Sequence, residues 1–209
     1  MPAARVRLAP AAALLLSIIA TGGTATAQPA CPKAVEAGKG IVLTSPDGRK
    51  SELRWLAGNR VRVIEENPNV PRGFPRETLT VQGLLGVEVS SASTKAKVDY
   101  QPGGDTIFPL ALGKQHELTY SSRVEGQQPL QGRMIIAVLE QLEHKIGACT
   151  YEALLVARLS ELDGGRRTPM RYDVYVPALQ AVLKSTLFDE AANAIIETET
   201  YEFETIAAK

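Results

Sequence analysis

The sequence predicts an all-β fold: an antiparallel meander of about ten strands, curled into a sandwich or a partly open barrel with long crossover loops. Three observations lead there. Short runs alternate apolar with polar residues, as Leu53 and Trp55 do against Glu52 and Arg54. Strong turn signals separate these runs, among them Ser45-Pro46-Asp47-Gly48 and Asp163-Gly164-Gly165. No repeat, low-complexity tract or second linker divides the chain after its first forty residues. A period of two marks a strand with one buried face, and Pro and Gly at turn positions set the reversals.

The elements follow in order. Gly40 to Thr44 is a short β-type run, and Arg49 to Leu56 and Arg60 to Val63 complete a three-stranded meander. Residues 67 to 75 hold three prolines and a glycine and read as a loop. Leu79 to Val81, Leu85 to Val89 and Thr94 to Tyr100 are further short strands, and Gln101 to Asp105 is a second loop. His116, Leu118 and Tyr120 alternate with Glu117, Thr119 and Ser121 in a half-buried strand. Met134 to His144 and Glu152 to Leu162 fit a helix, with Ile135, Val138, Leu139 and Leu142 at helical spacing, and also fit strands. Periodicity leans slightly towards helix there, although no Ser, Thr, Asp or Asn stands ready to cap one before Met134. Tyr172, Val174 and Val176 share one strand face, Pro177 to Gln180 breaks the chain, Val182 to Phe188 resumes, and Tyr201 and Phe203 alternate with glutamates.

Residues 1 to 27 read as a secretory signal peptide. Arg5 and Arg7 give a positive start, Ala11 to Ala20 is an apolar run, and Ala25-x-Ala27 is a cleavage signature. Ten apolar residues rise about 15 Å as a helix, half of a bilayer core of about 30 Å, so no stable membrane span is expected. The alanine-rich signal looks bacterial, which makes the periplasm the expected compartment. Residues 28 to 39 are an N-terminal extension, and 40 to 209 are a single β-rich domain. Cys31 and Cys149 are the two cysteines. In an exported chain an even count favours a disulfide, here one that pins the extension to the second half. The residues before Cys31 lack the Leu-Ala-Gly-like box of a lipid attachment site.

Composition excludes several classes. Lys plus Arg and Asp plus Glu both total 23, so a nucleic-acid binder working by bulk charge is not expected. Lys33, Lys39, Arg49, Lys50, Arg54, Arg60 and Arg62 make the first third of the exported chain basic, and Glu197, Glu199, Glu202 and Glu204 make its end acidic. These read as solvated strand faces. Two histidines, His116 and His144 with Glu117 and Glu143 beside them, leave little for a metal site. Gly113-Lys114 lacks the upstream glycine and following Ser or Thr of a phosphate loop, and no Gly-x-Ser-x-Gly is present. Ser121 and Ser122 near His116 read as exposed strand serines. No cofactor and no catalytic residue are expected.

From Phe108 onward the sequence resembles a family of bacterial exported β-rich proteins whose function is not established. The residues that carry this are Phe108-Pro109-Leu110 with Gly113-Lys114, then Ile146 to Tyr151, then Tyr172-x-x-Tyr175-Val176-Pro177-x-Leu179 with Val182 and Lys184. Many relatives carry a second aromatic near Tyr175, where this chain has Val176. The resemblance implies that Met134 to His144 and Tyr151 to Leu162 are paired antiparallel strands, and that reading is adopted. It implies no catalytic residues. The expectation is a non-enzymatic periplasmic protein that binds an apolar or amphipathic envelope ligand or acts in envelope assembly, with an envelope lipid or envelope protein as partner. The alternative is a structural or interaction module without a small ligand.

Overall fold

A computed structural model describes residues 31–34, 39–70, 74–196 and 200–209. Residues 1–27, where a signal peptide and its cleavage site are expected, residues 28–30 and 35–38 of the expected extension, residues 71–73 of the expected proline-rich loop, and Glu197 and Glu199 lie outside the described residues.

The chain opens with β1 (Gly40–Thr44), β2 (Lys50–Leu56) and β3 (Arg60–Glu66). Next come β4 (Arg76–Val81), β5 (Leu85–Ser90) and β6 (Lys95–Gln101). A 3-10 turn, Gly104–Ile107, precedes β7 (Gln115–Val124). Two long strands follow, β8 (Leu130–Ile146) and β9 (Cys149–Leu162). Then come β10 (Arg166–Arg167), β11 (Met170–Val176) and β12 (Ala181–Asp189). The last are β13 (Ala194–Ile195), β14 (Tyr201–Glu202) and β15 (Thr205–Ala208).

All pair antiparallel in one 15-stranded sheet, ordered β13-β12-β11-β9-β8-β7-β6-β5-β4-β3-β2-β1-β15. The fold is all-β, and the sheet curls without closing into a barrel. It is one sheet rather than the two stacked sheets of a sandwich. The expected long crossovers are replaced by hairpins, because each strand from β1 to β9 pairs with its successor. The break after Val176 is a turn, with Leu179 N–H donating to the Val176 carbonyl at 3.1 Å.

Met134 to His144 and Tyr151 to Leu162 lie in the paired antiparallel strands β8 and β9, as the resemblance implies. The helical lean has a physical source in β9. Cys149, Tyr151 and Ala153 belong to one core cluster with Ile41, Leu43, Trp55 and Phe203. Leu154 and Val156 belong to another with Val81, Leu85, Ile136 and Tyr175. Odd and even residues of a strand point to opposite faces, so β9 carries a core on each side. Strands buried on both faces read as continuous apolar runs without alternation. A bulge between Val138 and Glu140 on β8 adds to the loss of period.

Long-range hydrogen bonds hold the curl. Trp55 Nε1 donates to the Leu179 carbonyl at 2.8 Å, and the Tyr175 hydroxyl donates to the Gln82 carbonyl at 2.8 Å. Gly83 sits in the β4–β5 turn at φ +71°, and a Cβ there would lie 1.6 Å from the Gln180 carbonyl oxygen. Only glycine admits this approach of the two turns. Cys31 and Cys149 form a disulfide with Cα atoms 5.7 Å apart. Beside it, Tyr151 donates its hydroxyl to the Pro32 carbonyl and Ala34 N–H donates to the Ala178 carbonyl.

The C-terminal segment bridges the edges of the sheet. β14 pairs with β12, and Phe203 N–H donates to the Leu183 carbonyl at 2.9 Å. Glu204 N–H then reaches the Thr44 carbonyl at 3.0 Å, and β15 pairs with β1. This run delivers Tyr201 and Phe203 to the interior.

Candidate functional site

The curl leaves a hollow of about 250 Å³ between the inner face of β2–β5 and the strands β9, β11, β12 and β14. Alternation explains which side chains reach it. Ser51 and Leu53 of β2, Val63 and Glu65 of β3, and Arg76, Thr78 and Thr80 of β4 are spaced by two along their strands. Cross-strand register sets them side by side: Ser51 opposite Glu65, Leu53 opposite Val63, Glu65 opposite Arg76 and Val63 opposite Thr78. From the other side come Arg158, Arg171, Val182, Tyr201 and Phe203. A smaller hollow of about 190 Å³ adjoins it, lined by Arg49, Asn67, Val70 and Phe74 among others. The two share Glu65, Arg76, Arg171 and Tyr201.

The charged groups here are ordered. Arg158 approaches Asp173 through Nε at 2.6 Å and Nη2 at 2.5 Å, and its Nη1 donates to the Leu84 carbonyl at 2.9 Å. Arg76 donates to Glu65 Oε2 through Nε at 2.9 Å and Nη2 at 2.6 Å. Arg171 Nη1 donates to the Ser185 hydroxyl at 2.9 Å. Arg49 lies over the Tyr201 ring at 4.8 Å, and Arg76 over the Phe74 ring at 5.2 Å. Burial pushes the Tyr201 phenol well above its ordinary range; Glu65 and Asp173 push the same way, against Arg171 and Arg158. The phenol therefore stays protonated at neutral pH.

Other candidates from the sequence do not assemble. His116 lies opposite Ile136 and His144 opposite Tyr151, which separates the histidines by about 25 Å along β8. Among the described residues no three His, Cys, Asp or Glu side chains gather as a metal site would need. Burial lowers the His144 imidazole below its usual value. Ser121 faces Gln131, whose amide donates to its hydroxyl at 3.2 Å. Gly113 and Lys114 dock on the β8 bulge: Gly113 N–H donates to the Val138 carbonyl and Val138 N–H to the Lys114 carbonyl, both at 3.0 Å. Glu202 pairs with Lys184 at 2.7 Å. The basic residues of the first strands are largely drawn into local pairs, Arg54 with Glu52 at 2.6 Å and Arg62 with Glu77 at 3.1 Å.

The arginine-lined hollow is what residue-by-residue reading missed. Arg76, Arg158 and Arg171 sit on three separate strands, and each occupies a position that reads as a solvated face. The available signal was Arg171-Tyr172-Asp173, where charges flank an aromatic on a strand whose neighbours are apolar.

No protein-family model and no curated protein matches the sequence. Two solved structures are similar in fold. One is the hypothetical lipoprotein YmcC from Escherichia coli, with a TM-score of 0.47 and 6% identity over 72% of this chain and 76% of that one. The other is a Bacteroides fragilis protein described as exported with a YmcC-like fold, with a TM-score of 0.41 and 10% identity over 82% of this chain and 96% of that one.

Proposed function

We propose that the chain is an exported, non-enzymatic protein of the bacterial periplasm that binds an amphipathic envelope ligand in the hollow of its curled sheet. The N-terminal pattern of Arg5, Arg7, the apolar run and Ala25-x-Ala27 supports export. A disulfide between Cys31 and Cys149 suits an oxidising compartment.

The observation that carries the reading is the lining. Leu53, Val63, Val89, Val182 and Phe203 share a wall with Arg76, Arg158 and Arg171. Small-molecule sites are concave and combine apolar walls with placed polar groups; here the polar side chains make up the larger part of the lining, which suits the polar end of an amphipathic ligand. A hollow of about 250 Å³ lies just below the range of about 300–1,000 Å³ for such sites, which suits one short chain or the end of a longer one.

Native mass spectrometry of the protein released gently from a periplasm tests this. A retained small lipid-like mass is the expected result. A bare chain, or a stoichiometric protein partner in its place, overturns it. The second outcome would favour a protein-interaction module, a reading supported by one feature. Leu112 and Leu139 are 56% and 50% exposed, and the Gly113–Val138 hydrogen bond brings their segments together.

A further inference from the structure

Every cationic side chain among the described residues lining the two adjoining hollows is an arginine: Arg49, Arg76, Arg158 and Arg171. A planar guanidinium fork matches a carboxylate or phosphate edge, which a lysine ammonium does not. From this we infer that the hollow selects a ligand with an acidic head, through the wall of Arg76, Arg171 and Tyr201 that its two chambers share; the inference rests on the binding reading above.

Three features support it. The arginines here already engage acids, each placing two nitrogens on one carboxylate oxygen, Arg76 on Glu65 Oε2 and Arg158 on Asp173 Oδ2. Having a partner does not prevent an arginine from taking a second acid. On the outer face Arg133 holds Glu161 at 2.6 Å and Glu117 at 3.3 Å together. The rings of Tyr201 and Phe74 lie against the guanidinium groups of Arg49 and Arg76, a cation–π contact at each. A protonated Tyr201 adds a neutral donor at the junction. A cationic head would meet four arginines, while among the described residues Glu65 is the lining carboxylate and is held by Arg76. Leu53, Val63 and Val182 then supply the apolar wall for the chain behind the head.

Titration calorimetry on the full disulfide-bonded exported chain, stripped of lipid, tests the head group. The probes are 1-octanol, octanoate, octyl phosphate, octyltrimethylammonium and inorganic phosphate. At least one octyl acid should bind roughly tenfold or more tighter than octanol, as charge-assisted hydrogen bonds require. Octyltrimethylammonium should bind no tighter than octanol. Preference for octanoate points to a fatty acid, and preference for octyl phosphate to a phosphorylated lipid. Inorganic phosphate as tight as octyl phosphate would make the source a free phosphate. Arg171→Gln and Arg76→Gln should each remove most of the acid's advantage over octanol, with fold checked by thermal unfolding. Equal binding of octanol and the acids overturns acid selection and leaves the binding reading standing. Acid selection by this wall is overturned in the same way if both folded variants keep the advantage. Failure of every octyl probe to bind overturns both. The comparison on the unaltered chain decides the matter if either variant fails to fold.

Discussion

Two cation–carboxylate pairs sit in opposite surroundings. Arg158 meets Asp173 at 2.5 Å with the Asp173 side chain wholly buried. Lys97 meets Glu88 at 3.0 Å on the outer β5–β6 ladder, with side chains 71% and 51% exposed. On the outer face water competes for both charges, and the pair is nearly neutral in energy. Inside, each partner is the other's compensation, because a lone charge there is left without solvent. Among the described atoms Asp173 Oδ1 has no hydrogen-bond partner, so this carboxylate depends all the more on Arg158. The buried Arg158–Asp173 pair thus tolerates little change, and the outer ladder tolerates much.

Asp173→Ala should give the largest effect, a loss of about 3–5 kcal/mol from leaving Arg158 uncompensated. Urea midpoints read it. Replacing both partners, as Arg158→Met with Asp173→Leu, should recover much of that loss. A single-variant loss below about 1 kcal/mol would break the contrast with the outer ladder. Next is the double replacement Cys31→Ser and Cys149→Ser, expected to cost about 2–5 kcal/mol. Its signature is early proteolytic cleavage near Pro32 with the sheet still folded. Trp55→Phe leaves the Leu179 carbonyl unpaired beneath the β11–β12 turn, and should cost about 1–3 kcal/mol in the same midpoint measurement. Lys97→Ala should change stability by less than about 1 kcal/mol, and raising salt should change it no further.

The smallest effect concerns acid. Arg133, by hydrogen bonds and by its charge, holds the Glu161 carboxyl below the usual carboxylate range. A depressed folded value contributes stability that is present above the unfolded value and lost as pH falls through the folded one. Arg133→Gln should therefore move the Glu161 titration upward towards the ordinary range, as side-chain NMR would show. An unmoved titration would contradict the assignment.

How much of this was legible follows from exposure. β1 to β3 were readable because Leu53 and Trp55 are buried while Arg54 between them is exposed. The period of two survives where one face is wet. It disappears in Ala153-Leu154-Leu155-Val156, where β9 packs a core on each side. There only the resemblance of Ile146 to Tyr151 and the Tyr172-x-x-Tyr175 segment indicated strands. β11 shows the same limit. Tyr172, Val174 and Val176 do share a face, yet Asp173 and Tyr175 on the other face are buried as well. A buried aspartate looks in sequence like an exposed one until its arginine, fifteen residues away, is seen beside it. The hollow was illegible for that reason: its charges come from β3 and β4 and from β9 and β11, and only the curl joins them.

If the interior hollow is the binding site, Gly86 offers the most direct test. Gly86 lines the hollow, and a Cβ there would make an ordinary contact of 3.5 Å with Thr78 Cγ2. Gly86→Leu should therefore fold while placing a side chain in the hollow. Calorimetric titration of octanoate into the unaltered chain and into G86L should show binding in the first and a loss of roughly tenfold or more in the second, the effect of filling an apolar site. Unchanged octanoate affinity in a folded G86L would place the ligand elsewhere and contradict the account.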